Sequence, residues 1–510
     1  MTRLPRLGAL CALSLALAAC GLTRPPASVE APTPSRWNAP LPDAALPHAG
    51  SRPSLATWWR DAGDPVLAEL IEAAQAASPN IASAATRIAE ARATRVQTGA
   101  ALAPNLDGVL SATRSNSPTS GVGGGVGATG GTGATGATGG STSIPPVTIG
   151  QAGLQSSWEI DLFGGLRAGR DAAASRLDAS SAQWHEARVS VAAETANAYF
   201  AERACARQLA VAESDTRSRL ESARLTDLSA QAGFTAPADA ALARAGAADA
   251  SGRLKQQRAQ CQVLRQGLVA MTGLDAAELA RKLDAQPGDL ALPAMHPVDQ
   301  VPARTLAQRP DIYAAEQAVA AASADVGAAQ AQRYPRLSLT GNIGRLQIRT
   351  GGFRETLDSW SIGPVQLTVP IFDGGTRAAN AESAKARYDE AVVQYRASVR
   401  NAVKEVEEAL VNLQSTDARS ADADSAVRNY QASFDATEAR YRSGLASQFE
   451  LEDARRTLFA AQTARVGLQR ERATAWVSLY RALGGGWTRP DAAIASSSTS
   501  SSPAVPAARP

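Results

Sequence analysis

The clearest chemistry near the start of the chain is that of a thiol, Cys20. Two arginines precede an apolar run from Leu7 to Ala19, which leads through the sequence LAAC into the cysteine. A positive start, an apolar core and small residues before the cysteine are typical of a cleaved secretory signal. We expect residues 1–19 to be removed and the thiol of Cys20 to be acylated, which would anchor the chain to a membrane. The alternative is an ordinary signal peptide that contains a cysteine by chance.

Cys205 and Cys261 are the cysteines left for disulfide chemistry once Cys11 leaves with the signal and Cys20 is acylated. Secretion places them in an oxidising compartment, where disulfides persist. Gly233 interrupts a helical pattern, and the two cysteines lie 28 residues before it and 28 residues after it. Because the arms of an antiparallel hairpin come level at equal distances from the turn, we predict a disulfide between them. The alternative is a pair of buried thiols that face different neighbours.

No pattern in the sequence is typical of an enzyme or a metal site. The three histidines, at positions 48, 185 and 296, lack ligand spacing, and no nucleophile has a recognisable base. A net charge of +3 over 510 residues gives no electrostatic footprint for nucleic acid. Beyond the signal, no apolar run reaches the roughly 18 residues of a membrane helix. We therefore expect no catalysis, no cofactor, no nucleic-acid partner and no transmembrane helix in the mature chain.

One sequence pattern occurs twice in the chain. The sequences DLFGGLR and IFDGGTR each lead from an alternating segment into a long Ala-rich stretch with helical spacing. Ser78 matches Arg309 at an offset of 231 residues, whereas Phe163 matches Phe372 at an offset of 209. The difference is an insertion in the first copy, a Gly/Thr/Ala-rich stretch over 121–140. Such a composition has no core-forming residues and predicts a flexible loop.

The repeat sets the expected domain organisation. We predict a signal peptide at 1–19, a lipidated Pro-rich segment at 20–60, a first repeat at 61–285, a linker at 286–298, a second repeat at 299–487 and a disordered tail at 488–510. In the first repeat, strands at about 105–114 and 147–163 flank a Gly-rich loop at 115–146 and precede a helical hairpin at 167–273. In the second repeat, strands at about 336–347 and 359–372 precede a helical hairpin at 377–483.

The predicted strands alternate between apolar and polar side chains, as in QLTVPI from Gln366. This period of two fits the wall of a membrane barrel, with lipid outside and water inside, and a soluble two-sided sheet is the alternative. Four strands per chain leave two edges. Edges cannot face lipid, because each unsatisfied backbone group there costs several kcal/mol. Three copies of the chain would close a twelve-stranded barrel.

The helical stretches are too long for a compact domain. From about Arg167 to Ala230 the sequence contains no proline, and about sixty helical residues would extend on the order of 90 Å. A second stretch runs from about Arg377 to Arg442, and rods of this length need other rods to cover their apolar stripes. We predict a mainly α fold with a membrane β-barrel part. It is built from a duplicated unit of helix, strand hairpin and long helix hairpin, and a trimer would join a 12-strand β-barrel to a 12-rod α-helical barrel.

Six motifs follow one another along the chain: a lipobox at Cys20, WW at Trp58, RPDI at Arg309, VPIFDGGTR at Val369, RYRSGLAS at Arg440 and YRALGGGW at Tyr480. In this order they resemble the outer-membrane factor family, the TolC-like exit ducts, and most of all its acylated, OprM-like and NodT-type lipoproteins. The resemblance covers about residues 20–487. It implies a homotrimer lipid-anchored in the bacterial outer membrane and extending into the periplasm, and Gly21 after the cysteine favours sorting to that membrane.

The resemblance also implies a function and partners. The function is that of an exit channel in a tripartite efflux system, carrying drugs and other toxic small molecules. An inner-membrane pump would supply the energy. A periplasmic adaptor, or membrane fusion protein, would contact the hairpin tips at Gly233, Phe234, Tyr441, Gly444 and Leu445. The alternatives are an outer-membrane duct for type I protein secretion and a non-conducting periplasmic scaffold lipoprotein, although a scaffold has no use for the alternating strands.

The same resemblance places a channel gate just after the second reversal. Phe449, Glu450 and Asp453 match the family's constriction, and Asp239 matches Glu450 at an offset of 211 residues. Phe449 and Asp453 are four residues apart and share one helix face. In a threefold assembly, an inward carboxylate becomes a ring of three that attracts cations, and an apolar ring can close a pore by dewetting.

Two features of the sequence allow another interpretation of the residues assigned to the gate. Glu450 and Asp453 can instead pair with arginines on a solvated helix face, and the candidates are Arg440, Arg455 and Arg456. An arginine latch that the TolC branch carries two residues beyond the reversal glycine is replaced by Ala446. Closure would then depend on other contacts, in which Tyr441 can take part.

Overall fold

The computed structural model describes residues 23–39, 58–60, 63–115, 146–285 and 306–490. These residues are mostly helical and include one four-stranded sheet. They divide into two compact units. Among the described residues, the first unit comprises 23–28, 90–115, 146–177 and 318–391, and the second comprises 29–39, 58–60, 63–89, 178–285, 306–317 and 392–490. The predicted signal with Cys20, the linker at 286–298 and most of the Gly-rich loop and of the tail lie outside the described residues.

The elements are numbered in chain order. The helices are α1 (Pro65–Ala77), α2 (Pro79–Ala100), α3 (Gly165–Gln231), α4 (Pro237–Thr272), α5 (Ala276–Asp284), α6 (Pro310–Ala331), α7 (Thr376–Arg442) and α8 (Gln448–Ala482). The strands are β1 (Asn105–Ser115), β2 (Val147–Ile160), β3 (Arg336–Thr350) and β4 (Phe353–Thr368). No helix in the described part of the chain combines the length and apolar character that a transmembrane span requires.

The sheet of the first unit has the order β1-β2-β3-β4, and each neighbouring pair is antiparallel. Strands from the two repeats meet in the β2–β3 pairing. Within the described residues, β1 and β4 each have one unpaired edge. Several of the sheet's large apolar side chains are exposed, among them Leu110 at 86% and Trp360 at 73%.

The strand bounds near the β3–β4 turn differ from the predicted ones. The strands predicted at 336–347 and 359–372 run instead over Arg336–Thr350 and Phe353–Thr368. Gly351 and Gly352, with φ of 52° and 90°, close the hairpin as a two-residue turn, which needs positive φ at both positions. The predicted end at 372 also fails, since Pro370 has no N–H to donate to a ladder. The strand predicted at 147–163 likewise stops at Ile160.

The duplicated motif that opens each long helix is a helix cap. Asp161 accepts hydrogen bonds from the backbone N–H groups of Leu166, at 3.2 Å, and Arg167, at 2.9 Å. Asp373 accepts from the N–H of Arg377 at 3.1 Å. In both copies, the side chain of the same arginine also forms an ion pair with the aspartate: Arg167 with Asp161 and Arg377 with Asp373, each at 3.1 Å. The two aspartates therefore satisfy N–H groups that a helix start leaves unpaired.

The core of the second unit is aromatic. Trp58 stacks on Trp476 of α8 with ring centroids 4.8 Å apart, and Trp59 lies 4.5 Å from Tyr480. Asp64 caps α1 and also accepts a hydrogen bond from the Tyr199 hydroxyl. Burial and this aspartate raise the pKa of Tyr199 above its ordinary range, so the phenol stays a donor.

The RPDI motif ties three elements of the second unit together. Arg309 is buried and donates to Asp311 at 2.7 Å and to Glu405 of α7 at 2.7 Å. It also donates to the carbonyl oxygen of Ala482, at the end of α8, at 3.0 Å. Because one guanidinium can serve several acceptors in a fixed plane, this arginine joins the start of α6 to α7 and α8.

Candidate functional site

The two helix reversals have the same backbone geometry. Gly233 has φ of 81° and Gly444 has φ of 73°. In each turn, the N–H of the residue after the glycine donates five residues back: from Phe234 to Ser229 at 2.9 Å, and from Leu445 to Arg440 at 2.8 Å. This is the Schellman ending of a helix, which requires a left-handed residue and therefore favours glycine.

The reversals present apolar side chains to solvent. Phe234 is 86% exposed and Leu445 is 70% exposed, and both directly follow a turn glycine. Phe449, in the first turn of α8, is 73% exposed. Exposed aromatic and aliphatic side chains grouped at a tip are typical of a surface that contacts another protein.

A hydrogen bond between two hydroxyl groups helps to join the hairpins of the two repeats near these turns. The hydroxyl of Tyr441 in α7 lies 3.0 Å from the hydroxyl of Thr226 in α3. The Thr226 hydroxyl also donates to the carbonyl oxygen of Ser222 at 2.8 Å, which leaves the tyrosine as the donor between the two hydroxyls. Tyr441, expected at the tip from the sequence, is thus a cross-hairpin contact.

The predicted gate carboxylates are paired within the chain. Asp453 accepts from Arg456 at 2.5 Å, and Glu450 lies 3.7 Å from Arg440. These are the solvated pairings that the charge pattern offered as an alternative, and both carboxylates are exposed. Ser447 caps the start of α8, since its hydroxyl accepts a hydrogen bond from the backbone N–H of Glu450 at 3.2 Å.

Phe449 and Asp453 line one groove. The groove has a volume of about 460 Å³ and lies between α4 and α8, and Leu242 and Asp249 form part of its other wall. Asp239 is half-buried in the first turn of α4 and does not line it. The structure therefore brings two of the predicted gate residues together on one face of α8 and leaves Asp239 apart from them.

A largely buried ion-pair network, two of whose members, Arg219 and Glu452, also line the groove, was not predicted. Arg219 of α3 donates to Asp215 at 3.0 Å and is ion-paired with Glu452 of α8. Glu452 also accepts from Arg455 at 2.5 Å, and Arg455 donates to the Ser222 hydroxyl at 2.9 Å. Arg455 is only 3% exposed, and burial lowers its pKa despite the nearby Glu452. The sequence spacing of Glu452 and Arg455, three residues apart on α8, could have predicted that these two side chains pair. It could not have predicted their partners on α3, which lie over 200 residues away in the sequence.

The structure joins Cys205 and Cys261 by a disulfide, with an S–S distance of 2.13 Å and Cα atoms 5.5 Å apart. The bond links α3 to α4, the two arms of the first hairpin, as the equal spacing about Gly233 predicts. Both cysteines are buried. Within the described residues, no group of three or more potential ligands is placed to hold a metal ion.

Duplicated long helical hairpins attached to a sheet with an exposed apolar face are the architecture of TolC-like outer-membrane channels. The chain belongs to the outer membrane efflux protein family, whose model matches residues 70–274 and 301–485, one match in each repeat. This confirms the family that the motifs indicated.

Relatives and solved structures agree with this assignment. The pyoverdine export outer membrane protein OpmQ of Pseudomonas putida is 32% identical, over 95% of this chain and 98% of its own length. The solvent efflux pump outer membrane protein SrpC of Pseudomonas putida is 30% identical, over 83% of this chain and 86% of its own. The outer-membrane channel OprN has a TM-score of 0.72 at 28% identity, covering 90% of this chain and 99% of its own. A membrane protein from Pseudomonas aeruginosa reaches 0.77 at 27% identity, covering 91% of this chain and 100% of its own.

Proposed function

We propose that this protein is the outer-membrane exit channel of a tripartite efflux system and carries small toxic molecules out of the cell. It works as a homotrimer, with an inner-membrane pump supplying energy and a periplasmic adaptor joining pump and channel. Relatives named for pyoverdine export and for solvent efflux support a small-molecule cargo. Export of small molecules also fits a chain in which we find no catalytic pattern.

The observation that carries this proposal is the sheet with two open edges. Strands of 11 to 16 residues reach or exceed the roughly 9–11 residues that cross a bilayer core at a tilt. In lipid, an unpaired edge leaves backbone groups unsatisfied, so β4 of one copy must pair with β1 of the next. Three copies of four strands give a closed twelve-stranded barrel, and the exposed apolar side chains become its lipid face.

The helix hairpins supply the periplasmic part of the duct. The two long hairpins of each protomer, together with the shorter helices, make up four rods, so three copies form a twelve-rod helical barrel. Phe449 and Asp453 then meet their symmetry mates and form the constriction, with Glu450 and Asp239 beside it. The Tyr441–Thr226 bond holds the two hairpins of a protomer together in the closed state.

The lipid anchor and the docking tips complete the proposed assembly. Acylation of Cys20 holds each protomer to the outer membrane alongside the barrel. The exposed Phe234 and Leu445, each placed by the left-handed glycine before it, form the surface that the adaptor contacts. Adaptor binding opens the channel because it favours the splayed arrangement of the hairpins.

A planar-bilayer recording of the purified full chain tests this function and its gate. Wild type should conduct weakly as a trimer, and a Phe449→Ala/Asp453→Ala variant should conduct several-fold more. A matched control removes a carboxylate and an apolar side chain four residues apart on α7, Asp389→Ala with Val393→Ala, both exposed. It should behave as wild type.

The possible results separate the two parts of the proposal. Equal conductance of wild type and the gate variant would reject the assignment of the gate. A stable monomer with no conductance would reject the channel itself.

A further inference from the structure

Three arginines form one row across the end of the sheet that lies next to the β3–β4 turn. Arg114 of β1 pairs with Thr148 of β2, Thr148 pairs with Arg349 of β3, and Arg349 pairs with Arg354 of β4. Directly paired residues of neighbouring strands point to the same side of a sheet. The row therefore places three guanidinium groups on one face.

This face is the apolar one. Three same-face rows away, six residues along each strand, the paired residues Leu154, Ile343 and Trp360 are 47%, 62% and 73% exposed. Behind them, on the opposite face, the paired residues Gln155, Asn342 and Ser361 are polar.

Side-chain contacts agree with this assignment of faces. Arg349 donates to Gln347 at 2.8 Å, two residues along the same strand. Arg345 pairs with Asp358 across β3 and β4 at 2.7 Å, between the apolar rows and the arginine row. The arginines thus continue the lipid-facing side of the sheet beyond its apolar part.

Within the part of the chain that the structure describes, no acidic side chain pairs with the row. Neither Arg114 nor Arg354 has an ion-pair partner among the described residues, and Arg349 bonds only to an amide there. The loop that follows β1, residues 116–145, contains no aspartate or glutamate in its sequence. Arg349 and Arg354 lie on adjacent strands, about 5 Å apart, and Arg114 lies about 10 Å from Arg349 across β2. Like charges at these spacings repel each other unless an anion joins them.

In the proposed channel, we take the exposed row of Leu154, Ile343 and Trp360 as the middle of the lipid-facing band. The distance along the strands from that row then places the arginines near the edge of the bilayer core. Arg349 lies six residues beyond Ile343, which is about 20 Å along a strand and about 14 Å along the normal at a 45° tilt. The helices join the opposite end of each strand, so in the proposed channel the row lies on the external side. It would stand where the outer leaflet changes from acyl chains to head groups.

We propose that Arg114, Arg349 and Arg354 bind the phosphate groups of a phosphorylated lipid in the outer leaflet. This inference rests on the proposed membrane channel. Guanidinium groups suit phosphate because their planar N–H pairs match its oxygens. In a trimer, the row becomes three identical basic sites around the outside of the barrel, each tying a lipid head group to the wall.

Lipid binding by the purified full chain, reconstituted in phosphatidylcholine nanodiscs, tests the proposal. The probe is diphosphoryl lipid A, compared with the same lipid after removal of both phosphates. Wild type should prefer the phosphorylated form. An Arg114→Gln/Arg349→Gln/Arg354→Gln variant should bind it roughly a hundredfold more weakly, because it loses three cationic groups that face the anionic head group.

The matched control is Arg345→Gln with Asp358→Asn, which removes a charged pair on the same face without changing net charge. It should bind as wild type. Equal binding by the triple variant, or no preference for phosphate in wild type, would overturn the proposal. So would a change of pore ion selectivity in the triple variant with lipid binding intact, because the row would then line the pore. Native mass spectrometry and conductance of the same samples report separately on the trimeric channel.

Discussion

Breaking the disulfide between Cys205 and Cys261 should destabilise the first helical hairpin by a definite amount. The two residues are 56 apart in sequence. A cross-link that closes a loop of this length removes conformational entropy from the unfolded chain. The chain-entropy relation gives about 4 kcal/mol at 25 °C. That free energy corresponds to a change of about a thousandfold in the unfolding equilibrium.

The assay is guanidinium unfolding of the detergent-purified protein, followed by tryptophan fluorescence. Trp58 and Trp476 lie in the core of the unit that also contains the disulfide, so their emission reports on its unfolding. Reductant should lower the unfolding midpoint of wild type. Reductant should not change the unfolding midpoint of a Cys205→Ala/Cys261→Ala variant, because this variant lacks the disulfide and already unfolds at the lower midpoint.

Comparison with reductant matters because it changes the bond and leaves every other side chain in place. A wild-type midpoint that does not respond to reductant would refute the reasoning. So would a non-reducing digest that lacks a peptide joining Cys205 to Cys261, since the hairpin would then carry free thiols.

Three further predictions concern the second unit. Glu452→Gln should lower the free energy of unfolding by about 3–5 kcal/mol, because it removes the counter-charge of the buried Arg455. The control Glu450→Gln, at an exposed ion pair, should lower it by under about 1 kcal/mol, and equal shifts of the two thermal melts would contradict this prediction. Tyr441→Phe removes the hydroxyl that joins the two hairpins, so single-channel open probability should rise about two- to tenfold, and an unchanged trace would count against a closing role. Burial and a neighbouring aspartate raise the pKa of Glu186. The stability it contributes is therefore present below about pH 4.5 and lost as pH rises through the raised folded pKa, and Glu186→Gln should flatten that part of the stability–pH curve.

Local features of this protein could be predicted because they depend on residues close together in sequence. Gly233 and Gly444 end long helical patterns, and only glycine adopts the left-handed turn there without strain. The spacing of Cys205 and Cys261 about the first of these turns predicts the pair that the structure joins. The sequence TGGF could equally have predicted the two-residue β3–β4 turn, but the strands predicted from the sequence ended before it and began after it.

The sequence by itself determined the repeat, the rods and their reversals, and with the motifs it determined the family. Only the tertiary structure decided which charges meet. Arg219 and Glu452 are 233 residues apart, and no spacing along one helix reveals such a pair. Strand register likewise aligned Arg114, Arg349 and Arg354, because a shift of one residue would have moved each strand's side chains to the other face. Periodicity assigns a residue to a face of its own element, whereas packing and register choose its neighbours.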